Sequence, residues 1–292
     1  MEFVANLLSV DEDPREWALK RESEGWDVLA VADHLPGFPH VWVTLGQIAE
    51  ITSRPKLSSA FANNLLRSPA EFAQASLAVQ RASGGRFEAG LGAGWMSIEM
   101  TGTGREFPQA GTRVSMYIEA VKIARELIDT GSSKFKGRHY QMEIEGVGPR
   151  CDPPPELSAA LGGPRMIREV TPLVDRVEVK GAGSATRGGA LDFAALASIG
   201  KDDIRRLVDQ VRSIDPEKPL SFFALAAAGR NPVVKGMESM LGDGVYGGLN
   251  GEPEKVATNL RALGEIGFER VNVSPTFPGT EAALAPFLFG GS

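Results

Sequence analysis

The dipeptide Asp33-His34 closes the apolar run Val28 to Ala32 and sets an imidazole beside a carboxylate. An imidazole titrates near neutrality, so His34 suits proton transfer, and an adjoining carboxylate suits orienting or charging it. The plainer alternative is that Asp33 caps a turn and His34 packs. Asn63-Asn64 ends the next β-type run, where the amides either bond the polar edge of a ligand or stop the strand by turn chemistry. The stretch Gly90-Leu91-Gly92-Ala93-Gly94-Trp95 follows a third run and Gly162-Gly163-Pro164-Arg165 a later one. Only a loosened GxGxxG is present in the first of these glycine groups, and it comes late in the chain, so a dinucleotide-binding turn is rejected. Its glycines admit a flat ligand or relieve crowding inside a barrel. Free N-H groups beyond Gly162-Gly163 point to an anion, with Arg165 and Lys180 as further charge or simply as surface residues.

What must position these residues is an alternation of short β-type runs with longer amphipathic stretches. Glu2 to Leu8, Val28 to Ala32, Lys56 to Ala62 and Phe87 to Leu91 read as strands, followed by helices at Pro14 to Glu24, Val41 to Ile51, Pro69 to Ala82 and Arg113 to Ile128. His40 opens the second of those helices. Residues 131 to 155 are rich in Gly, Pro and charge, with a hairpin around Tyr140 that contains His139, and read as an excursion. The alternation resumes with strands Leu157 to Leu161, Arg176 to Val179, Leu220 to Ala227 and Arg270 to Val273. Their helices are Met166 to Leu173, Asp202 to Ile214, Val233 to Leu241 and Pro253 to Ile266. Eight such units predict an α/β fold, a single (β/α)8 TIM barrel over residues 1–292 with an excursion after helix four. A two-domain Rossmann arrangement is the weaker alternative. In a barrel the ends of strands two to five share one mouth.

Composition narrows the partners. The chain of 292 residues has a net charge of -6 and no Lys/Arg block, which argues against nucleic acid. One cysteine, Cys151, excludes an internal disulfide framework, and three histidines leave little for a metal cluster, so no metal is expected and a cytoplasmic protein is. No apolar run is long enough to span a bilayer, and Phe3 to Leu8 lacks the charged flank of a signal peptide.

The segments GWDVLAVADHLPG, SPAEFAQASLAVQRASGGRFEAGLGAGW, GTRVSMYIEAVKIARELI, GRHY, LGGPRM and GEPEKVATNLRALGEIGFERV, in this order, resemble the luciferase-like monooxygenase superfamily. Its members are (β/α)8 barrels that use reduced flavin or the deazaflavin coenzyme F420. VADHLPG, NNLLRSP and GLGAGWMSIEMTGTGREF resemble the F420-dependent branch most. The resemblance implies an oxidoreductase that transfers hydride between coenzyme F420 and a small-molecule substrate. An FMN-dependent two-component monooxygenase and a non-catalytic flavin-binding relative are the alternatives.

The resemblance also implies roles. His34 would handle a proton or stabilise charge at the coenzyme ring, with Asp33 beside it. A bulge with a non-prolyl cis peptide would support the ring near Ser59 to Phe61, at Ala60, and Asn63 would bond its polar edge. Ala93, Gly94, Gly162 and Gly163 would complete the coenzyme site. Where some deazaflavin sugar dehydrogenases carry a glutamate after the strand-four glycine, this chain has Trp95, so their acid-base chemistry does not carry over. A homodimer is implied as well, with the apolar helix Phe72 to Ala82 as a candidate face.

Overall fold

The computed structural model describes residues 1–290. Eight parallel strands pair in chain order: β1 (Glu2–Leu7), β2 (Val28–Val31), β3 (Lys56–Ser58, resuming at Ala62–Asn63), β4 (Phe87–Gly92), β5 (Glu156–Leu161), β6 (Arg176–Val179), β7 (Leu220–Ala228) and β8 (Arg270–Pro275). β8 pairs back onto β1, with Val4 opposite Asn272, so the sheet closes and has no free edge. Alternation along each strand divides the side chains. Leu29, Val31, Leu57, Leu91, Leu157 and Val177 are buried against the ring of helices. The opposite set, which includes Glu88, Glu178, Arg270 and Asn272, fills the barrel with polar groups.

That polar interior is hydrogen-bonded, as burial requires. Arg270 donates through Nη1 to Glu88 at 2.7 Å and through Nε to Glu2 at 2.7 Å. Asn272 donates through Nδ2 to both carboxylate oxygens of Glu178, at 3.1 and 3.0 Å. Together they form a rigid floor beneath the mouth at the strands' C-terminal ends.

Three elements differ from expectation. The run read as one strand from Lys56 to Ala62 is interrupted at residues 59–61, and the peptide Ala60-Phe61 there is cis, as the family resemblance implied. There Ser59 Oγ donates to Gly90 O at 3.0 Å and accepts from Gly90 N at 3.1 Å, replacing the missing ladder bonds. The eighth unit carries a helix after its strand, Thr280–Phe289, while Pro232–Leu241 and Pro253–Ala262 both precede β8. Its lack of a polar stripe and its internal Pro286 conceal that helix in the sequence. A short helix, Ser97–Thr101, occupies the long connection between β4 and the helix Ala110–Thr130.

The excursion is a hairpin, Ser133–Lys136 against Gln141–Ile144. Glu119 on the helix Ala110–Thr130 accepts from the backbone N-H groups of Arg138, His139 and Tyr140 at 2.8, 2.8 and 3.0 Å, which makes His139 a turn residue. Phe72, Ala73, Leu77 and Val79 of the helix Pro69–Ala82, the candidate dimer helix, are buried within the chain, so its apolar face packs inward and Glu71, Gln74 and Ala78 are among the residues it exposes. Among the described residues no helix is long and apolar enough to cross a membrane.

Candidate active site

A cavity of about 340 Å³ opens at the C-terminal ends of the strands. That volume lies within the usual range for small-molecule sites. Asp33, His34, Ala60, Asn63, Ala93, Gly94, Gly162 and Gly163 all line it, brought from the ends of β2 to β5. Trp95 and Lys180 line it too, whereas Asn64 and Arg165 do not. The amide Oδ1 of Asn64 accepts from Tyr140 Oη at 3.2 Å and so ties down the hairpin. Arg165 is exposed and pairs with Glu169 at 3.1 Å. His40 caps the helix Val41–Ile51, away from the cavity.

The carboxylate that orients His34 is Glu99, not Asp33. Nδ1 of His34 lies 2.7 Å from Glu99 Oε1, and the Glu99 side chain is fully buried. Glu99 also accepts from Leu35 N at 3.1 Å and, through Oε2, from Asn63 Nδ2 at 2.8 Å. With Nδ1 held as the donor to a carboxylate, Nε2 is the ring nitrogen left for a ligand. Phe38 and Trp95 pack on the imidazole at ring-centroid distances of 4.7 and 6.0 Å, so its orientation is fixed on the sides as well.

Asp33 does other work. It accepts from Arg67 Nε at 3.2 Å and Nη2 at 3.0 Å, a fork that engages both carboxylate oxygens, and from Asn63 N at 2.9 Å. The pair therefore pins the end of β3 to the end of β2, and Asp33 borders the cavity with its carboxylate already engaged.

The strand-four glycines accommodate the neighbouring backbone first. A Cβ on Gly90 would meet Ser59 O at 2.5 Å and the Phe61 ring at 3.0 Å; one on Gly92 would meet Phe61 Cβ at 3.0 Å. Gly90 is thus explained by crowding, while Gly92 both clears the bulge and lines the cavity. Gly94 has φ +73°, and a Cβ there would lie 2.4 Å from Asn63 Oδ1. It lets the chain turn tightly over Asn63 and stay close to the cavity.

Across from His34 the wall comes from β6. Glu178 lies at the cavity floor, held by Asn272 and by Ser221 Oγ at 3.3 Å, and its burial pushes the carboxyl up to about 8. Lys180, two residues on and on the same face, is pulled down to about 8 by burial. Its Nζ lies 5.6 Å from the centre of the Trp95 ring. Arg113 closes the rim: Nη1 donates to Pro108 O at 2.7 Å and Nη2 to Arg187 O at 3.2 Å, clamping the loops after β4 and β6 together. Glu99, Glu178 and Arg113 were not anticipated from the sequence. For Glu178 a signal existed, namely an acid at an inward position of a barrel strand.

Comparison with known proteins bears on this arrangement. The luciferase-like monooxygenase family model matches residues 12–212, more than half of the chain. An F420-dependent glucose-6-phosphate dehydrogenase of Amycolatopsis mediterranei (strain U-32) is 30% identical over 157 residues, covering 51% of this chain and 47% of that protein. The pyrimidine monooxygenase RutA of Stutzerimonas stutzeri (strain A1501) is 37% identical over 145 residues, 45% of this chain and 39% of that protein. The match thus spans less than half the length of either relative. An F420-dependent secondary alcohol dehydrogenase, solved with an F420-acetone adduct, superposes with a TM-score of 0.75 at 18% identity over 98% of both chains. At that identity the likeness concerns the fold.

Proposed function

The chain belongs to the luciferase-like monooxygenase family, an oxidoreductase family, and from that premise we propose that it is an F420-dependent oxidoreductase transferring hydride between the deazaflavin and a small organic substrate. The observation that carries the reading is the His34–Glu99 pair on the cavity wall, with Nε2 available to a ligand. The cavity suits a flat ring: Ala60 and Gly92–Gly94 present backbone and small side chains along one side, and Asn63 lies among them. Those residues would hold the ring, with Gly162 and Gly163 beyond it. Bound there, coenzyme F420 would supply or accept the hydride.

The residues of the chain would do the rest. Oxidation of an alcohol carbon to a carbonyl releases a hydride from carbon and a proton from oxygen. His34 Nε2 takes that proton, and Glu99 stabilises the resulting imidazolium. In the reverse direction His34 returns it. Apolar lining from Phe38, Trp95 and Leu225 excludes water from the reacting atoms. The catalytic residue on this reading is His34; Glu99 is a positioning residue that acts through it.

An FMN-dependent monooxygenase is the second reading, supported by the match to pyrimidine monooxygenase RutA. Titrating the purified protein with oxidised F420 and with FMN, followed by fluorescence quenching, separates the two. Tighter binding of F420 is expected, and micromolar FMN affinity with no response to F420 overturns the assignment.

A further inference from the structure

Lys180 has no task in the mechanism above, yet its side chain stands in the same cavity. It forms no ion pair within 4.0 Å and no side-chain hydrogen bond among the described residues, since Glu178 beside it is held by Asn272 and Ser221. Of the two arginines lining the cavity, Arg113 gives a donor each to the carbonyls of Pro108 and Arg187 and has its guanidinium 4.2 Å from the centre of the Phe107 ring, while Arg187 is exposed to solvent. Half-buried in the cavity wall, this ammonium offers three donors and has no protein acceptor, so an anion entering the largely apolar cavity would meet an unpaired cation. The lining carboxylates do not supply it: Asp33 is engaged by Arg67 and Glu178 by the floor.

We propose that Lys180 is an anion subsite, and that the substrate carries a carboxylate or phosphate which this ammonium receives. The position fits a substrate that reacts at His34. Trp95 touches both residues, with His34 at its edge and Lys180 over its ring, so the indole separates the proton-transferring group from the charge anchor. A small acid spanning that ring would have its reacting carbon and its anionic group held at opposite ends. Gly162 closes the side behind the lysine, because a Cβ there would lie 2.8 Å from Lys180 O, so the backbone at Lys180 is fixed against the end of β5. The inference rests on the substrate binding in this cavity as proposed above, but its test requires no turnover.

Of the four tryptophans only Trp95 lines the cavity, which makes it a reporter for the coenzyme-free protein. Acetate, succinate and inorganic phosphate are titrated at pH 7 and constant ionic strength, following tryptophan fluorescence. At least one of them is expected to give a saturable change that Trp95→Phe removes. Lys180→Met should weaken it at least 10-fold and Lys180→Arg restore it to within about 3-fold, with thermal unfolding confirming that each variant is folded. Separate F420 and FMN titrations of Lys180→Met identify the source of the anionic group. Coenzyme affinity within 3-fold of wild type supports a substrate group, whereas a 10-fold loss assigns the subsite to the coenzyme phosphate and overturns the proposal. Absence of saturation by any of the three anions, or equal affinity in wild type and Lys180→Met, overturns it too. Because the anions are read without coenzyme, failure of the F420 assignment leaves these outcomes distinct.

Discussion

Substituting Glu99 by Gln tests whether His34 is held for chemistry or merely packed. The carboxylate accepts three hydrogen bonds on two oxygens, from His34 Nδ1, Leu35 N and Asn63 Nδ2. A glutamine has one oxygen, so in either amide orientation an NH2 group faces a donor, His34 Nδ1-H or Asn63 Nδ2. A hydrogen bond to a charged group contributes about 1.5 to 3 kcal/mol, and a buried unpaired donor costs about 1 to 3 kcal/mol. Losing about 2 kcal/mol of preference for the Nδ1-H tautomer changes its population ratio roughly 30-fold. If only that tautomer presents a free Nε2 for the proton, turnover with a substrate identified by screening should fall by a similar factor, about 30- to 100-fold. With three histidines in the chain, nitrogen-detected NMR of the labelled protein reads the tautomer directly, before any substrate is known. Rapid mixing then reads the rate, and Glu99→Gln in a His34→Ala background should add almost nothing, because the glutamate acts through the histidine. A folded Glu99→Gln protein that keeps the Nδ1-H tautomer and the wild-type rate would refute the positioning role.

His34→Ala itself should lower hydride transfer by roughly 100-fold or more while coenzyme binding stays within a few-fold, measured by single-turnover kinetics and titration; a wild-type rate would remove His34 from the mechanism. Gly94→Ala should abolish tight coenzyme binding, because the left-handed φ and the 2.4 Å approach to Asn63 Oδ1 displace the amide that holds Glu99; unchanged affinity would show that this turn tolerates a Cβ. Anion binding should weaken as pH rises through about 8, since Lys180 loses its proton there while burial delays ionisation of Glu178 until the same range. Arg113 faces Lys180, Glu88 and Arg270 face Glu178, and His34 stands across Trp95; Lys180→Arg, which stays charged, should make the fall shallower and leave only the part due to ionisation of Glu178. Glu281→Ala should destabilise the fold by about 3 kcal/mol in denaturant unfolding, as it strands Arg21, whose guanidinium lies 2.8 Å from that carboxylate, in a buried site; a loss below 1 kcal/mol would show that Glu24 alone suffices for Arg21.

Legibility in the sequence followed the range of the interactions. The alternation of β-type runs and amphipathic stretches is local, and it located all eight barrel strands and the mouth they share. In β3 the local pattern alone misled, for a reason of the same kind, whereas the family resemblance implied the cis peptide found at Ala60-Phe61. Lys56 to Ala62 reads as one strand because nothing within it announces a break, and the break depends on Ser59 bonding Gly90 and on the space that Gly90 and Gly92 leave for Phe61, about 30 residues further on. The glycines were visible as unusual, and two of them, Gly90 and Gly92, make room for the bulge of the neighbouring strand, Gly92 lining the cavity as well. Thr280–Phe289 was missed because it is buried on more than one side, which erases the stripe that marks a surface helix.

The site divides in the same way. Residues at strand ends were legible because the barrel fixes where strand ends go, and all eight reached the cavity. Glu99 was not, since it sits in a glycine-rich and charged connection where nothing sets it apart from Glu106, which is exposed. Only closure of the barrel carries the helix Ser97–Thr101 over β2 and places one of these acids on the imidazole. Asp33 drew attention by adjacency, but both residues lie beyond the end of β2 at Val31, and the Asp33 carboxylate is taken by Arg67 and Asn63 N while the imidazole bonds Glu99. Lys180 stands one residue beyond β6 and lines the cavity beside Glu178, an inward residue of that strand, so a lysine just past the C-terminal end of a barrel strand is a lining residue rather than a surface one. The two walls of the cavity thus differ in origin: the connection after β4 supplies Glu99 to the His34 wall, while the end of β6 and the loop beyond it, with Ala182, Gly183 and Thr186, build the Lys180 wall. Substitutions in the connection after β4 should therefore alter proton transfer and leave the charge at Lys180 in place.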